Sequence, residues 1–280
     1  MPHRVLYGRS TLFMPRVKKM KNIFETKKIE THVFYCYANN SCSEEMLEVM
    51  NILRNEGISS NANSLFQWME MMGAPYDLSL FINNYFGSKD LEAIWNLKML
   101  NAKQHYIISR IALKNAVCTF LQREHGECVS PRELYCSHDN FGQPMVHHDK
   151  QKKKPLDSLF VSLSHKNNRG VAIASNQPVG IDLEKIENKS EEFIQLAYTK
   201  KELSLLKRLE GSDSENLKSA ETLIRFWVAK EACAKKTGRG FQGRPQSFEV
   251  TKVEDDVLFV GDTPVQTVKI DIDYIVGWTL

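Results

Sequence analysis

The sequence lacks any long hydrophobic run. No apolar stretch among its 280 residues approaches the roughly 20 residues that a membrane-spanning helix needs. The N-terminus also lacks the uninterrupted apolar stretch that is typical of a secretory signal peptide. These absences predict a cytoplasmic protein that has no membrane partner.

Zinc-binding cysteine patterns are absent as well. The six cysteines form no C-x-x-C pair and have no histidine at the spacing of zinc sites, so we expect reduced thiols and infer no metal from them. The charge surplus is small, with 37 lysines and arginines against 34 aspartates and glutamates. Because the basic runs also lack interleaved aromatic residues, no nucleic-acid partner is expected.

What is present is the composition of an ordinary globular protein, with 42% hydrophobic and 25% charged residues. Apolar periodicity predicts a long helix after residue 91, short strands between 159 and 183, a helical block to about 236 and strands thereafter. This order predicts an α+β fold with two halves of similar layout, residues 76–178 and 179–280. Residues 1–75 are predicted to be an N-terminal extension of unknown role.

Two carboxylates alternate with apolar residues in one predicted strand. Asp182 and Glu184 project from one face of this strand, while Ile181 and Leu183 enter the core. Neighbouring like charges cost stability unless a cation lies between them, and magnesium commonly takes one or two carboxylates plus substrate phosphates. Taken alone, D-x-E is common, and an exposed polar strand face is its simpler interpretation.

A third carboxylate lies on a predicted helix. Glu231 and Lys235 are four residues apart, on one helix face. The simpler interpretation is a surface ion pair, worth a few tenths of a kcal/mol. The functional interpretation is that Glu231 completes a metal site or activates a nucleophile and that Lys235 neutralises a phosphate.

A polar turn ends another predicted strand at Ser162-Leu163-Ser164-His165. The Ser164 hydroxyl, the His165 imidazole and backbone N–H groups of this turn could cradle a phosphate. A turn whose side chains are satisfied locally is the simpler alternative.

In this order and spacing, the three segments resemble the 4'-phosphopantetheinyl transferase superfamily. The resemblance rests on Ser-Leu-Ser-His, Val-Gly-Ile-Asp-Leu-Glu and Phe-Trp-Val-Ala-Lys-Glu-Ala-Cys-Ala-Lys-Lys-Thr-Gly-Arg-Gly-Phe, within about residues 90–255. Because a full half precedes these motifs, the chain is similar to the single-chain, pseudo-dimeric surfactin-type branch, which implies a monomer. Residues 106–117 are similar to the opening helix of transferase domains associated with polyketide synthases.

The resemblance implies a magnesium-dependent enzyme. It would transfer the 4'-phosphopantetheine moiety of coenzyme A to a serine of an acyl or peptidyl carrier protein. Asp182, Glu184 and Glu231 would hold Mg²⁺ on the coenzyme A pyrophosphate, and Glu231 or Glu184 would accept the serine proton. This division of labour is chemically reasonable, because phosphoryl transfer needs mostly positioning and charge neutralisation.

The resemblance also implies a set of phosphate contacts. Lys235 would contact the pyrophosphate, and the 3'-phosphate would be held by Ser164, His165 and either Lys114 or Arg110. One position departs from the family pattern, because Gln143 stands where the family usually has a lysine or arginine. Glutamine can donate a hydrogen bond to a phosphate but cannot neutralise it. Either coenzyme A is bound more weakly, or Arg110, His138 or a lysine of residues 150–154 substitutes for the missing cation.

Two other functions remain open at this point. A carrier-binding scaffold could keep the fold without turnover, and the neutral Gln143 favours this reading. A metal-dependent phosphatase or nuclease could use the same three carboxylates as metal ligands. Binding of coenzyme A and the identity of the released product separate these alternatives.

Overall fold

The structure is a computed structural model that describes residues 24–30, 33–38, 84–149, 156, 158–167, 169–210, 220–270 and 272–280. Elements are numbered along these residues. The N-terminal elements are β1 (Phe24–Glu30), β2 (Val33–Ala38), α1 (Ser88–Asn96), α2 (Leu100–His125), β3 (Leu134–His138), β4 (Pro144–His148), β5 (Phe160–Lys166) and β6 (Arg169–Ser175).

The C-terminal elements begin with one strand and three helices and end with four strands. They are β7 (Ile181–Lys185), α3 (Glu191–Ala197), α4 (Lys200–Glu210), α5 (Ala220–Lys236), β8 (Val250–Glu254), β9 (Val257–Val260), β10 (Thr263–Ile270) and β11 (Tyr274–Thr279).

The first sheet is antiparallel, with the strand order β1-β2-β6-β5, and α2 packs across it. A broad apolar face of α2, which includes Ile108 and Ile111, is fully buried against the sheet. The helix comes close to β6 because Gly170 has no Cβ, and a Cβ there would lie 2.8 Å from the Ile108 side chain. The helix ends at Gly126, whose left-handed φ of 67° lets its N–H cap the preceding carbonyls.

The second sheet is antiparallel, with the strand order β7-β11-β10-β9-β8, and α5 packs across it. Its contact with the helix repeats the arrangement of the first sheet, since a Cβ at Gly277 of β11 would lie 2.6 Å from the Val228 side chain. Gly180, just before β7, allows an even closer approach. A Cβ there would collide with the Ala232 carbonyl, so glycine is required for α5 to lie against β7.

The two sheets meet where β5 lies beside β7. The Ser162 hydroxyl accepts a hydrogen bond from the Ile181 N–H at 3.0 Å, which ties one strand to the other. A shared apolar cluster fills the junction, and it contains residues of β6, β7 and β11 such as Val171, Leu183 and Trp278. This junction brings the strand that carries Asp182 and Glu184 next to the strand that carries Ser164.

The predicted α+β class is confirmed. The strands expected between residues 159 and 183 correspond to β5, β6 and β7. The segment assigned as an N-terminal extension supplies β1 and β2 to the first sheet, where β2 pairs with β6, so these strands are integral to the fold of the following half. The other residues of that segment, 1–23, 31–32 and 39–75, lie outside the described residues. Within the described residues, no helix combines the length and apolar character needed to cross a bilayer.

Candidate functional site

A pocket of about 390 Å³ lies between the β3–β4 turn, the end of β5 and the residues after α5. Five candidate phosphate-binding residues that the sequence singled out line this pocket: His138, Gln143, Ser164, His165 and Lys235. They come from three separate segments of the chain. The junction of the two sheets therefore assembles the candidate phosphate-binding groups in one place.

Alternate residues of β5 reach across to β7. Ser164 lies two residues after Ser162, and its hydroxyl donates to Asp182 Oδ1 at 2.8 Å. Lys166 lies two residues further along, and its Nζ is 2.7 Å from Glu184 Oε2. Lys166 was not predicted from the sequence as a site residue, although continuing the period of two from Ser162 and Ser164 places it on the same strand face.

Asp182 is almost fully buried, at 4% exposure, and its two oxygens differ in their surroundings. Oδ1 accepts hydrogen bonds from Ser164 and from Lys235 Nζ, the latter at 2.7 Å. Oδ2 is buried and has no hydrogen-bond partner among the described residues. An unpaired buried carboxylate oxygen is costly, so this atom marks a position where a further cation or donor would be stabilised.

Glu231 is electrostatically coupled to the same acidic pair. Its pKa is raised to about 7, first by desolvation and then by the charge of Asp182, with a smaller contribution from Glu184, while Lys235 opposes the shift. The three carboxylates therefore share one neighbourhood. Among the described residues, however, no three histidine, cysteine, aspartate or glutamate side chains are gathered closely enough to hold a metal ion. Lysines stand beside Asp182 and Glu184 instead.

Two cations, Lys235 and Arg110, act on the histidines of the pocket. Desolvation, followed by the charges of His105, Lys235 and Arg110, lowers the pKa of His165 to about 4, and Asp182 opposes this shift. The His105 and His165 rings stack with their centroids 4.6 Å apart. Desolvation and Arg110 also lower the pKa of His138, which lines the same pocket. Such a field favours an anionic ligand.

The two candidate cations of the first long helix have different surroundings. Lys114 is 2% exposed, and its Nζ donates to Asp90 Oδ2 at 2.5 Å and to the Tyr85 carbonyl at 2.6 Å. Its charge is thus committed to a buried ion pair, and it does not line the pocket. Arg110 is also buried, against the Tyr106 ring, but its charge acts on both pocket histidines. Neither residue is among those that line the pocket, but of the two only Arg110 has a charge that acts on the pocket histidines.

Gln143 lies on the pocket wall, at the end of the β3–β4 turn. Asp139 Oδ1 shapes this turn by accepting the N–H groups of Phe141 and Gln143, both at 2.8 Å. The Gln143 side chain reaches Gly238, where an added Cβ would lie 2.6 Å from Gln143 Oε1. Gln143 therefore presents a neutral hydrogen-bonding group to the pocket.

Comparison with known proteins supports the family resemblance that the sequence motifs indicate. Residues 178–270 match the family model of the 4'-phosphopantetheinyl transferase superfamily. A protein of Synechocystis sp. named "Putative 4'-phosphopantetheinyl transferase slr0495" is 26% identical over 145 residues, which are 50% of this chain and 52% of that relative. The chain thus spans about half the length of the curated relative that it matches. The part of the chain that carries Asp182, Glu184, Glu231 and Lys235 is similar to the 4'-phosphopantetheinyl transferase superfamily.

Proposed function

We propose that this chain transfers the 4'-phosphopantetheine arm of coenzyme A to a serine of an acyl or peptidyl carrier protein. One observation carries the proposal: a pocket that is lined by Lys235 and by hydrogen-bonding side chains adjoins the carboxylates of β7 and α5. Ser164 and Lys235 belong to both, because each lines the pocket and each bonds to Asp182. The phosphates of a coenzyme A bound in the pocket would therefore lie next to these carboxylates.

The phosphate groups of coenzyme A match the donors of the pocket. Ser164, His165 and Gln143 offer neutral hydrogen bonds, while Lys235 and Arg110 supply charge. With Gln143 neutral, Arg110 is the substitute cation that the electrostatics of the pocket support. The sequence is compatible with fatty-acid, polyketide, nonribosomal-peptide and lysine-pathway carriers. The cytoplasmic location stays a prediction.

The carboxylates suit the magnesium ion that the resemblance implies in their chemistry, although the described side chains are not gathered around one point. The unpartnered buried oxygen of Asp182 and the raised pKa of Glu231 both indicate negative charge that the described residues do not fully balance. Asp182, Glu184 and Glu231 would hold the ion. When bound, it would neutralise charge on the pyrophosphate.

The remaining chemistry belongs to the chain's own residues. The carrier serine oxygen would form a bond to the β-phosphorus of coenzyme A, and the bond from this phosphorus to the bridging oxygen would break. Adenosine 3',5'-bisphosphate leaves, and Lys235 stabilises the charge that develops on the bridging oxygen. Glu231 or Glu184 takes the serine proton.

We also propose a pseudo-dimer of the surfactin type, with a boundary near residue 178 and a monomeric protein. The strand order β2-β6-β5 corresponds to β7-β11-β10, with α2 and α5 in corresponding places. Asp182 pairs in register with Gly277, and the matching partner of Gly170 is Cys36. The first half thus has no acidic residue at the position of Asp182.

The helices show the same asymmetry between the halves. Glu231 lies three residues after Val228, and the residue three after Ile108 is Ile111, which is 0% exposed in the core. The acidic set occurs in the second half alone at these matching positions. This asymmetry supports one catalytic site per chain.

The test of the function replaces one carboxylate. We expect Glu231→Gln, which keeps the side-chain shape, to reduce transfer by about 10²-fold or more, because it removes a charge and a proton acceptor. The measurement is the intact mass of an apo-carrier protein incubated with coenzyme A and Mg²⁺. Glu221→Gln is the matched control on the same helix, where Glu221 pairs with Lys269 at the surface. Wild-type loading by Glu231→Gln would refute the assignment.

A carrier-binding scaffold is the second candidate function. The neutral Gln143 favours it, as do the lysines beside Asp182 and Glu184. Calorimetric titration with coenzyme A and Mg²⁺, followed by the same mass measurement, separates the two functions. Binding without a mass gain on any apo-carrier would support the scaffold.

A further inference from the structure

Lys166 lies beside the acidic pair Asp182 and Glu184. The family resemblance gives this lysine no role. Lys166 ends the row of β5 side chains that face β7, and its Nζ lies 2.7 Å from Glu184 Oε2. The pair is partly shielded from water, with Lys166 31% and Glu184 17% exposed. Shielding makes such a pair stronger than one in open solvent.

Lys166 faces more negative charge than that of Glu184 alone. The charges of Glu187 and Asp182 act on its ammonium group in addition to that of Glu184. The ammonium group of Lys166 is therefore placed within an acidic cluster. The same acidic side chains would stabilise a bound metal cation.

Asp182 provides an independent sign that the cluster attracts a further cation. Its side chain is 4% exposed, and its Oδ2 has no hydrogen-bond partner among the described residues. Lys235 and Ser164 satisfy Oδ1 alone. Glu184 Oε2 is also buried and makes no hydrogen bond of good geometry among the described residues, although the Lys166 ammonium lies 2.7 Å from it as an ion-pair partner. Two carboxylate oxygens of the cluster could thus bind a cation, and Lys166 stands at one of them.

Building on the proposed function, we propose that Lys166 is an internal counter-ion of Glu184. In the ligand-free protein Lys166 is paired with the Glu184 carboxylate, and it competes with the divalent cation for this carboxylate. A cation that binds Glu184 must first break the Lys166–Glu184 ion pair. The affinity of the site for the metal is lowered by the free energy of that pair. Lys166 is in this sense a positioning residue, because it acts through Glu184.

The experiment measures binding of Mn²⁺ alone to the full-length protein, with free Mn²⁺ followed by electron paramagnetic resonance. We expect Lys166→Gln to bind Mn²⁺ about tenfold more tightly than the wild type, because Glu184 is then released from its competitor. A tenfold change corresponds to about 1.4 kcal/mol. Lys166→Arg keeps the charge and should keep an affinity within about twofold of the wild type.

Lys185→Gln is the matched control for the loss of one positive charge. Lys185 follows Glu184 on β7 but pairs with Asp273 at 3.5 Å, on side chains about 40% exposed. Its effect on Mn²⁺ affinity should stay below about twofold. An equal gain in Lys185→Gln would replace the specific ion pair with a general charge effect and overturn the proposal.

The remaining outcomes separate this inference from the proposed function. Unchanged or weaker Mn²⁺ binding by folded Lys166→Gln, or no binding by any variant, overturns the counter-ion role, whatever the wild type does to a carrier protein. Tighter binding together with no mass gain on any apo-carrier leaves the counter-ion role standing and refutes the transferase function. Circular dichroism of each variant establishes that the proteins compared are folded.

Discussion

At the scale of single residues, His165 reports most directly on what the pocket binds. Its ring lines the pocket and stacks on His105, and its pKa is lowered to about 4 by desolvation and by nearby cations. Because the folded-state pKa lies below the ordinary value of about 6.5, the neutral ring favours folding above that value. This contribution is lost as the pH falls toward 4.

We expect adenosine 3',5'-bisphosphate to raise the pKa of His165 by at least one unit, because an anion would offset the charges of Lys235 and Arg110. The measurement is a pH titration of the His165 ring resonances by NMR, with and without the ligand. A ligand that raises this pKa binds the protonated ring more tightly. The affinity of the protein for the bisphosphate must therefore rise as the pH is lowered toward the pKa of the ligand-free protein. Uncharged adenosine is the control and should produce no such rise. An unchanged pKa at saturating bisphosphate would count against an anion site.

At the scale of elements, a buried ion pair fixes the helix that carries Glu231. Lys230 and Glu202 are both 0% exposed, and Lys230 Nζ lies 2.9 Å from both Glu202 oxygens. The same ammonium donates to the Ala197 carbonyl, while Glu202 accepts the Val250 N–H. The pair therefore joins α5 to α3, α4 and β8. Because Glu231 is the next residue, this pair also helps to set which way Glu231 faces.

We expect Lys230→Met to lower the free energy of unfolding by about 3–5 kcal/mol, because it leaves the Glu202 carboxylate buried without its partner. Urea denaturation followed by circular dichroism measures this change. Lys200→Met, at an exposed position of α4, is the control and should change stability by less than about 0.5 kcal/mol. The double variant Lys230→Met/Glu202→Met should recover part of the loss. A loss below about 1 kcal/mol in the single variant would show that the pair does not tie the elements together.

At the scale of the whole molecule, charge is locally concentrated although the net charge is only +3. Helices α3 and α4 present the exposed apolar side chains Leu196 and Leu209, at 63% and 47% exposure. Cations of α4 accompany them: Lys200, Lys201, Lys207 and Arg208. An acidic carrier protein would match this surface, which we propose as its docking site. Residues 211–219, which follow α4 in the sequence, lie outside the described residues.

Charge reversal tests this docking surface. We expect Lys200→Glu/Lys207→Glu to raise the carrier KM about tenfold and to weaken its dependence on salt, because electrostatic attraction to an acidic partner is lost. The KM for coenzyme A should not change. Lys98→Glu is the control, since Lys98 is exposed in the other half of the molecule. Equal effects of the two charge reversals would place carrier docking elsewhere.

Much of the site was predictable because its determinants are local. Alternation of apolar and acidic residues places Asp182 and Glu184 on one face of β7, whatever the rest of the fold does. The spacing of four places Glu231 and Lys235 on one face of α5. The partners of Lys114 and Lys166 were not predictable. Asp90 and Glu184, to which they bond, lie in other elements, and no local period relates the members of either pair.

The sequence by itself determined the α+β class, the strands that flank the site and the identity of its charged residues, because backbone periodicity and side-chain chemistry are properties of short segments. Tertiary structure alone decided which charges meet. In the folded protein Lys114 is buried with Asp90, the charge of Arg110 acts on His165 in the pocket, and Lys166 lies beside Glu184. These outcomes depend on how β5 packs against β7 and α2 against the first sheet, and such long-range packing is fixed by the whole core.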